Sequence, residues 1–227
     1  MSIDRNNYKF VCATPHNKET FLEKSQLALF LEKESFLKNS HIVYENKEGL
    51  PKVYNSFINQ QNIDNKLIFV HDDVLIEDLF FFEKLTLAFE NYDIVGLAGS
   101  KSCNLKADMT AWHLMSNSRE DFVGEVSHSK DKKVWTTVFG PTESRALILD
   151  GLFLAVNVKK LLETNTKFDE NFNFHHYDIS FCLNANRNKL KMGVYPIKVT
   201  HFGMGDSMLS DDWNKSAKVF KKLYCNG

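Results

Sequence analysis

The stretch at residues 67–79, LIFVHDDVLIEDL, decides how the rest of the chain is interpreted. Four apolar residues end abruptly at His71-Asp72-Asp73, and an amphipathic segment follows. Ionised carboxylates crowded at the end of a buried strand repel each other and lose hydration, so a cation is needed beside them. Carboxylate oxygens suit Mg²⁺ or Mn²⁺, which complete their shells with phosphates of a ligand. The stretch therefore predicts a buried strand that delivers a metal site. A helix cap followed by a solvated turn is the alternative.

Apolar runs and amphipathic segments alternate around this stretch. Strands are predicted at 8–14, 41–45, 67–70 and 93–98, and helices at 18–38, 51–61 and 76–91. Asn17 is the predicted cap of the first helix, and a start at Thr20 is the alternative. This alternation is typical of βαβ units with a largely parallel sheet. Right-handed crossovers place the carboxyl ends of such strands at one edge, where ligands bind. We therefore expect Thr14-Pro15, Glu45-Asn46 and Asp72-Asp73 to open onto one crevice.

The second half of the chain is less regular. Residues 99–142 have weak periodicity, and the segment 133–139 predicts an antiparallel addition with long loops. Buried strands are predicted at 146–156, interrupted by Asp150-Gly151, and at 192–199; helices are predicted at 158–164, 178–188 and 213–224. Because no low-complexity linker or repeat divides the 227 residues, a single domain is expected.

Composition excludes several classes of protein. The 28 basic and 29 acidic residues leave no global basic field for nucleic acid. The four cysteines lie far apart and form no CxxC pair, which favours reduced thiols over disulfides or a zinc site. The N-terminus lacks an apolar signal core, and no stretch reaches the ~18 apolar residues of a membrane span. A cytoplasmic protein with a core built on its 19 phenylalanines is therefore predicted.

Two further residues are candidates for chemistry. His201 follows a predicted strand and precedes the glycine-containing loop 202–207, so it is either a metal ligand or a structural histidine. An imidazole beside two carboxylates matches Mn²⁺ better than Ca²⁺. Asp178 starts a predicted helix among aromatic residues, and burial there could raise its pKa to suit a general base. A helix cap is the alternative for Asp178.

Five segments, in order, resemble the inverting glycosyltransferases of the GT-A fold, especially glycosyltransferase family 2 and its smaller bacterial relatives. They are CATPHNKETFL, VYENKEGLPKVYNSFI, IFVHDDVLIEDL, LDGLFLAVNVKKLLE and YDISFCLNANRNKLKMGVYP, and they span most of positions 8–207. The resemblance implies a three-layer α/β/α architecture with a mostly parallel mixed sheet. It also divides the single domain, residues 1–227, into a nucleotide-binding half (8–100), an acceptor-side half (101–207) and a C-terminal helix (208–227).

The same resemblance implies a function and roles for individual residues. It implies transfer of a sugar, with inversion, from a nucleoside diphosphate sugar (a UDP-sugar as first choice) to a glycan or lipid-linked acceptor in surface glycan synthesis. Mn²⁺ or Mg²⁺ would bridge the diphosphate. The roles implied are donor binding by Thr14, Pro15, Glu45, Asn46, Lys52 and Asp72; metal binding by Asp73 and His201; general base catalysis by Asp178; and acceptor binding by Asp150 and Gly151.

The chain departs from the family pattern at two positions. His71 takes the first position of the Asp-x-Asp motif, and Tyr177 stands where an acid usually precedes the base. The second departure keeps a non-catalytic relative that binds sugar nucleotides as an alternative. A nucleotidyltransferase is another, although the turn ATPHNKETF lacks the glycines of a phosphate loop. The lysines of the terminal helix either face solvent or lie against the inner face of a membrane.

Overall fold

The computed structural model describes residues 3–203 and 210–225. The strands are β1 (Tyr8–Ala13), β2 (Ser40–Val43), β3 (Lys66–Val70), β4 (Val74–Ile76), β5 (Ile94–Gly96), β6 (Ala98–Ser100), β7 (Phe122–Lys130), β8 (Lys133–Val138), β9 (Ser144–Arg145), β10 (Ile148–Leu149), β11 (Phe153–Asn157), β12 (Met192–Val194) and β13 (Val199–His201). The α-helices are α1 (Lys18–Lys24), α2 (Gln26–Lys33), α3 (Leu50–Phe57), α4 (Phe81–Asn91), α5 (Val158–Glu163), α6 (Tyr177–Arg187) and α7 (Asp211–Phe220). A π-helical turn, Lys221–Cys225, follows α7.

The central sheet has seven strands in the order β2-β1-β3-β11-β5-β12-β9. β1 pairs in parallel with both β2 and β3, whereas β11 runs antiparallel to its neighbours β3 and β5. Five strands therefore share one direction, and β11 and β9 oppose it. Since β1, β2 and β3 are parallel, their carboxyl ends lie at one edge, as the sequence predicted.

A second sheet joins β10, β6, β7, β13 and β4 in that order, and β8 pairs with β7 beside this path. β7 and β8 form the antiparallel hairpin predicted for the middle of the chain. β13 lies between β7 and β4, with His201 opposite Val74. This register brings the end of β13 beside the turn that follows β3.

The core is rich in phenylalanine, as the composition indicated. Phe10 on β1 is fully buried and contacts the rings of Phe30, Phe36 and Phe81 at centroid distances of 5.6, 5.7 and 5.8 Å. Phe30 belongs to α2 and Phe81 to α4, so this cluster fixes two helices on the sheet. All four cysteines are free, and Cys12 and Cys182 are buried.

Phe10→Ala is expected to lower the free energy of unfolding by about 3–5 kcal/mol, the usual cost of emptying a buried phenylalanine site. The loss combines the transfer free energy of the ring with the cavity left between two helices. Urea denaturation of both proteins measures it. Phe174→Ala is the control: Phe174 is 49% exposed, so its removal should cost much less. Equal losses for the two variants would contradict this account of the core.

Several predicted elements are corrected by the structure. The helix predicted at 18–38 is two helices separated at Ser25, whose Oγ accepts from the Ala28 amide and donates to the Asp72 carbonyl at 2.6 Å. The helix predicted at 76–91 begins only at Phe81, because Val74–Ile76 pairs as β4 with β13. The cap predicted at Asn17 is confirmed: its Oδ1 accepts from the Thr20 amide.

Three predicted elements in the remainder of the chain also differ. The strand at 93–98 divides into β5 and β6, which belong to different sheets, and the strand at 192–199 divides into β12 and β13. The terminal helix starts at Asp211, with Ser210 as its cap, and is α-helical only to Phe220. Of the loop predicted at 202–207, residues 204–207 lie outside the described residues, as do 208, 209, 226 and 227 of the C-terminal segment. Within the part of the chain that the structure describes, no helix is long and apolar enough to cross a membrane.

Candidate active site

A pocket of about 320 Å³ opens at the carboxyl ends of β1, β2 and β3. This first pocket is lined by Ala13, Thr14, Pro15, Asn46, Lys47, Glu48, Gly49, Leu50, His71, Asp72, Asp73, Asn173 and Phe174. The structure thus brings together Thr14, Pro15, Asn46 and Asp72, as predicted. Glu45 and Lys52 do not line it. The Glu45 amide donates to the His16 carbonyl, and Lys52 forms an exposed ion pair with Glu48 at 2.8 Å.

Asp72 lines this pocket and is held by hydrogen bonds to its side chain and to its carbonyl. Its Oδ2 accepts a hydrogen bond from the Thr14 hydroxyl at 2.5 Å. Its carbonyl accepts from the Ser25 hydroxyl and from the Leu27 amide, so the start of α2 is tied to this turn. Since β4 rather than a helix follows, the alternative of a helix cap for the two aspartates is wrong.

His71, Asp73 and His201 form a cluster in which one possible ligand atom from each lies within 4.8 Å of the others. His201 Nε2 is 3.3 Å from Asp73 Oδ2. The contact between positions so distant in sequence follows from the pairing of β13 with β4 and from the Phe202 amide, which donates to the Asp73 carbonyl at 2.9 Å. The predicted neighbours Asp73 and His201 are therefore together, and His71 is an additional member.

The chemistry of this cluster suits a divalent cation. Asp73 Oδ1 is buried and has no hydrogen-bond partner among the described residues, an arrangement that costs free energy unless a cation is bound. Burial raises the pKa of Asp73, but the hydrogen bond and charge of His201 outweigh this and leave the pKa lowered. Burial lowers the pKa of His201, but Asp73 outweighs it and leaves that pKa raised. Nitrogen and carboxylate donors are ligands of first-row divalent metals.

Gly203 lies directly against the Asp73–His201 pair. A Cβ at this position would overlap Asp73 Oδ2 and would lie 2.5 Å from His201 Nε2, well inside contact distance. Only a glycine therefore leaves both ligand atoms free in this arrangement. The sequence predicted that the glycine-containing loop admits a ligand closely; Gly203 is the glycine of that loop that the structure describes, and its role toward a ligand stays a prediction.

Gly203→Ala is expected to weaken Mn²⁺ binding by about 10–100-fold, the range found when groups that orient ligands are lost. The methyl group would push Asp73 and His201 apart. Isothermal titration with Mn²⁺ measures the effect, and the thermal unfolding midpoint checks the fold. Unchanged Mn²⁺ affinity would contradict the cluster as a metal site.

A second pocket, of about 610 Å³, adjoins the first and contains Asp178. Asp178 is the second residue of α6, and His176 occupies the cap position, so the alternative of a helix cap for Asp178 is wrong. Its carboxylate accepts from the Gly151 amide at 3.1 Å and from the Ile179 amide at 2.8 Å. Burial, followed by the negative charge of Asp150, raises the pKa of Asp178 to about 7.

Asp150 and Gly151 also line the second pocket. Asp150 Oδ1 accepts from the Leu152 amide, which closes a tight turn, and Oδ2 accepts from Trp112 Nε1 at 2.8 Å. Trp112 is almost buried and packs edge-on against Phe122 and Phe139, so core packing accounts for most of its surface. Both carboxylates thus lie on one wall, and each is fixed by donors from the fold.

Three side chains of the site were not assigned a role from the sequence. His71 joins the metal cluster, and its ring nitrogen Nε2 is 3.0 Å from the Tyr177 hydroxyl. Phe174 is 49% exposed, stacks on His71 and lines both pockets. The signal for His71 was present, since it directly precedes the two aspartates. Tyr177 appeared only as a departure from the family pattern and Phe174 gave no signal, because only the tertiary fold brings these two residues to His71.

Comparison with known proteins decides the family. A family model described as glycosyltransferase-like matches residues 16–224, which include Asp72, Asp73, Asp178 and His201. The chain belongs to this glycosyltransferase-like family. Among curated proteins, none matches this glycosyltransferase by sequence.

Two solved structures show the fold of this glycosyltransferase. A197 from STIV aligns with a TM-score of 0.52 at 14% identity over 87% of this chain and 86% of that one. S. aureus TarS 1-349 in complex with UDP aligns with a TM-score of 0.51 at 12% identity over 86% of this chain, which spans 60% of that one. The predicted resemblance to family 2 and the predicted GT-A fold, a mostly parallel mixed sheet with helices, are both confirmed.

Proposed function

We propose that this glycosyltransferase moves a sugar from a nucleoside diphosphate sugar to an acceptor hydroxyl with inversion at the anomeric carbon, and that the reaction depends on Mn²⁺ or Mg²⁺. One observation carries the proposal. The two pockets share His71, Asp73 and Phe174, so a cluster suited to a cation lies where they meet. A donor in the first pocket would present its diphosphate to this cluster and its sugar to the second pocket.

The first pocket supports the donor part of the proposal. Its strand-end position is where α/β sheets bind ligands, and Thr14 and Asp72 offer a hydroxyl and a carboxylate for a ribose. The TarS structure with the same fold is a complex with UDP, which makes a UDP-sugar the first donor to test. Glu45 and Lys52 are not part of this proposal, because neither lines the pocket.

The second pocket supports the transfer step. Asp178, whose pKa is raised to about 7, takes the proton of the acceptor hydroxyl. The acceptor oxygen forms a bond to the anomeric carbon while the bond from that carbon to the diphosphate oxygen breaks on the opposite face. The electron pair of the broken bond leaves with the diphosphate. A divalent cation held by His71, Asp73 and His201 would neutralise the charge of that leaving group.

The test is incubation of the protein with UDP-, GDP-, dTDP- and CDP-sugars in the presence of Mn²⁺. Release of the nucleoside diphosphate, slowly to water or faster to added saccharide acceptors, supports the transferase. Binding of a sugar nucleotide without any release indicates a non-catalytic relative. NMR of the product linkage checks inversion, and a retained anomeric configuration would contradict the mechanism. A glycan or lipid-linked acceptor at the cytoplasmic side of a bacterial membrane stays a prediction.

Asp150→Asn is expected to move the acidic limb of the kcat/KM profile to lower pH. The base must be ionised, so activity rises with pH through the pKa of Asp178, and removal of the neighbouring charge lowers that pKa. The shift should be smaller than the total rise in the pKa of Asp178, because burial is the larger cause of that rise. Initial rates from pH 5 to pH 9 measure it, and an unmoved midpoint would contradict the assignment of Asp178 as base.

A further inference from the structure

The two departures from the family pattern touch each other. His71 Nε2 lies 3.0 Å from the Tyr177 hydroxyl oxygen, although 106 positions separate the two residues. The same hydroxyl donates to the Gly151 carbonyl at 2.7 Å. His71 stands in place of an aspartate and Tyr177 in place of an acid, so an imidazole and a phenol form a hydrogen-bonded pair where two acids would repel.

The hydrogen bonds determine which nitrogen of His71 carries the proton. A phenol hydroxyl has a single proton, and a carbonyl oxygen only accepts, so Tyr177 donates its proton to the hydrogen bond with the Gly151 carbonyl. The Tyr177 oxygen then accepts from His71, which requires a proton on Nε2; for the neutral imidazole this is the Nε2–H form. In that tautomer the free lone pair is on Nδ1.

We infer that Tyr177 is a positioning residue that fixes the Nε2–H tautomer of His71, so that His71 Nδ1, Asp73 and His201 form a two-histidine, one-carboxylate metal site. The inference rests on the metal site of the proposed function. It parallels a general feature of metal sites, in which the second ring nitrogen of a histidine ligand is held by an outer hydrogen-bond partner.

This donor set has a consequence for the choice of metal. Mg²⁺ prefers oxygen ligands and bound water, whereas imidazole nitrogen favours first-row transition ions. Two nitrogens and one carboxylate therefore select Mn²⁺, Co²⁺ or Zn²⁺ over Mg²⁺. An aspartate at position 71, as in the family motif, would weaken that preference, because His201 would then be the one nitrogen ligand left in the cluster.

The first experiment examines the tautomer without any metal. Long-range ¹H–¹⁵N correlation spectra of the EDTA-treated protein distinguish the two neutral tautomers, and His71→Asp identifies the His71 signals among the eight histidines. The Nε2–H pattern in the wild-type protein, lost or mixed in Tyr177→Phe, is the expected result. An Nδ1–H pattern in the wild-type protein would overturn the inference whatever the enzyme does.

The second experiment uses Co²⁺ alone as the probe, with its visible absorption and a titration as readouts. Tyr177→Phe is expected to weaken Co²⁺ binding by about 10–100-fold, the usual effect of losing an outer partner. Tyr8→Phe is the matched control. Tyr8 is the first residue of β1, at the end of the strand away from the site, and its phenol bonds to Thr86. Its removal should leave Co²⁺ affinity unchanged.

The same titration in a His71→Asp background distinguishes a positioning role of Tyr177 from a general structural role. Tyr177→Phe should have almost no further effect there, because no tautomer remains to be fixed. Equal losses in both backgrounds would overturn the inference and assign Tyr177 a structural role only. His71→Asp alone should reduce the preference for Co²⁺ over Mg²⁺ by about tenfold or more.

The outcomes also separate this inference from the proposed function. If the wild-type protein binds Co²⁺ but neither Tyr177→Phe nor His71→Asp alters the affinity, the inference fails while a metal-dependent transferase stands. If the wild-type protein binds neither Co²⁺ nor Mn²⁺, with or without UDP, both the ligand assignment and the metal dependence of the proposed function fail. Release of nucleoside diphosphate in the presence of EDTA would then identify a metal-independent transferase.

Discussion

Asp178→Asn is expected to lower kcat by about 10²–10⁴-fold, the usual contribution of a general base, with little change in affinity for the donor nucleotide. The amide cannot take the acceptor proton, but its one oxygen still accepts from the Gly151 amide, and only the bond from the Ile179 amide is lost. The variant should therefore keep the geometry of the site and lose only the general base. Initial rates under saturating donor, together with a titration of the nucleoside diphosphate, measure the two effects separately.

The same substitution is expected to lower activity but to raise stability at neutral pH, and the stability measurement serves as its control. The folded-state pKa of Asp178 is raised to about 7, so ionisation is unfavourable in the folded state. Wild-type stability relative to Asp178→Asn should fall as pH rises from about 4, the unfolded pKa, to about 7, and then level off. Thermal unfolding midpoints at pH 4 and pH 8 test this. Full activity of Asp178→Asn, or a stability gain confined to acid pH, would show that another group is the base.

Much of the fold was accessible from local sequence pattern. The apolar run before His71 is strand β3, and the polar residues after β1, β2 and β3 meet at one edge because parallel strands leave no other arrangement. The meeting of Asp73 with His201 was predicted through family resemblance. The register of β13 against β4 gives its physical cause.

Other features depend on tertiary contacts that the local sequence pattern does not indicate. The break at Ser25 is set by the Asp72 carbonyl, which lies 47 positions away in sequence and holds the start of α2. The segment 74–76 looked like the start of an amphipathic helix, but pairing with β13 made it a strand. The pairing of His71 with Tyr177 is likewise a product of the tertiary fold, so each appeared only as an unexplained departure from a motif.

Asp73→Asn is expected to weaken Mn²⁺ binding by more than about 100-fold, beyond the range for outer partners of a metal site. The substitution removes the only carboxylate of the described cluster and leaves the buried Oδ1 position with a neutral amide. Because a cation that stabilises a leaving group supplies several kcal/mol, turnover should fall by about 10³-fold. EDTA treatment of the wild-type protein should have the same effect, and added Mn²⁺ should reverse it.

Asp72→Asn is the matched control, since it makes the same chemical change one residue earlier. Asp72 accepts from the Thr14 hydroxyl and lies outside the metal cluster, so its loss should weaken donor binding but leave Mn²⁺ affinity, measured without nucleotide, unchanged. Comparing the two substitutions therefore distinguishes a loss of cation binding from a loss of nucleotide binding. If both weaken Mn²⁺ equally, the adjacent carboxylates act as one unspecific acidic patch, and a defined site built on Asp73 is wrong.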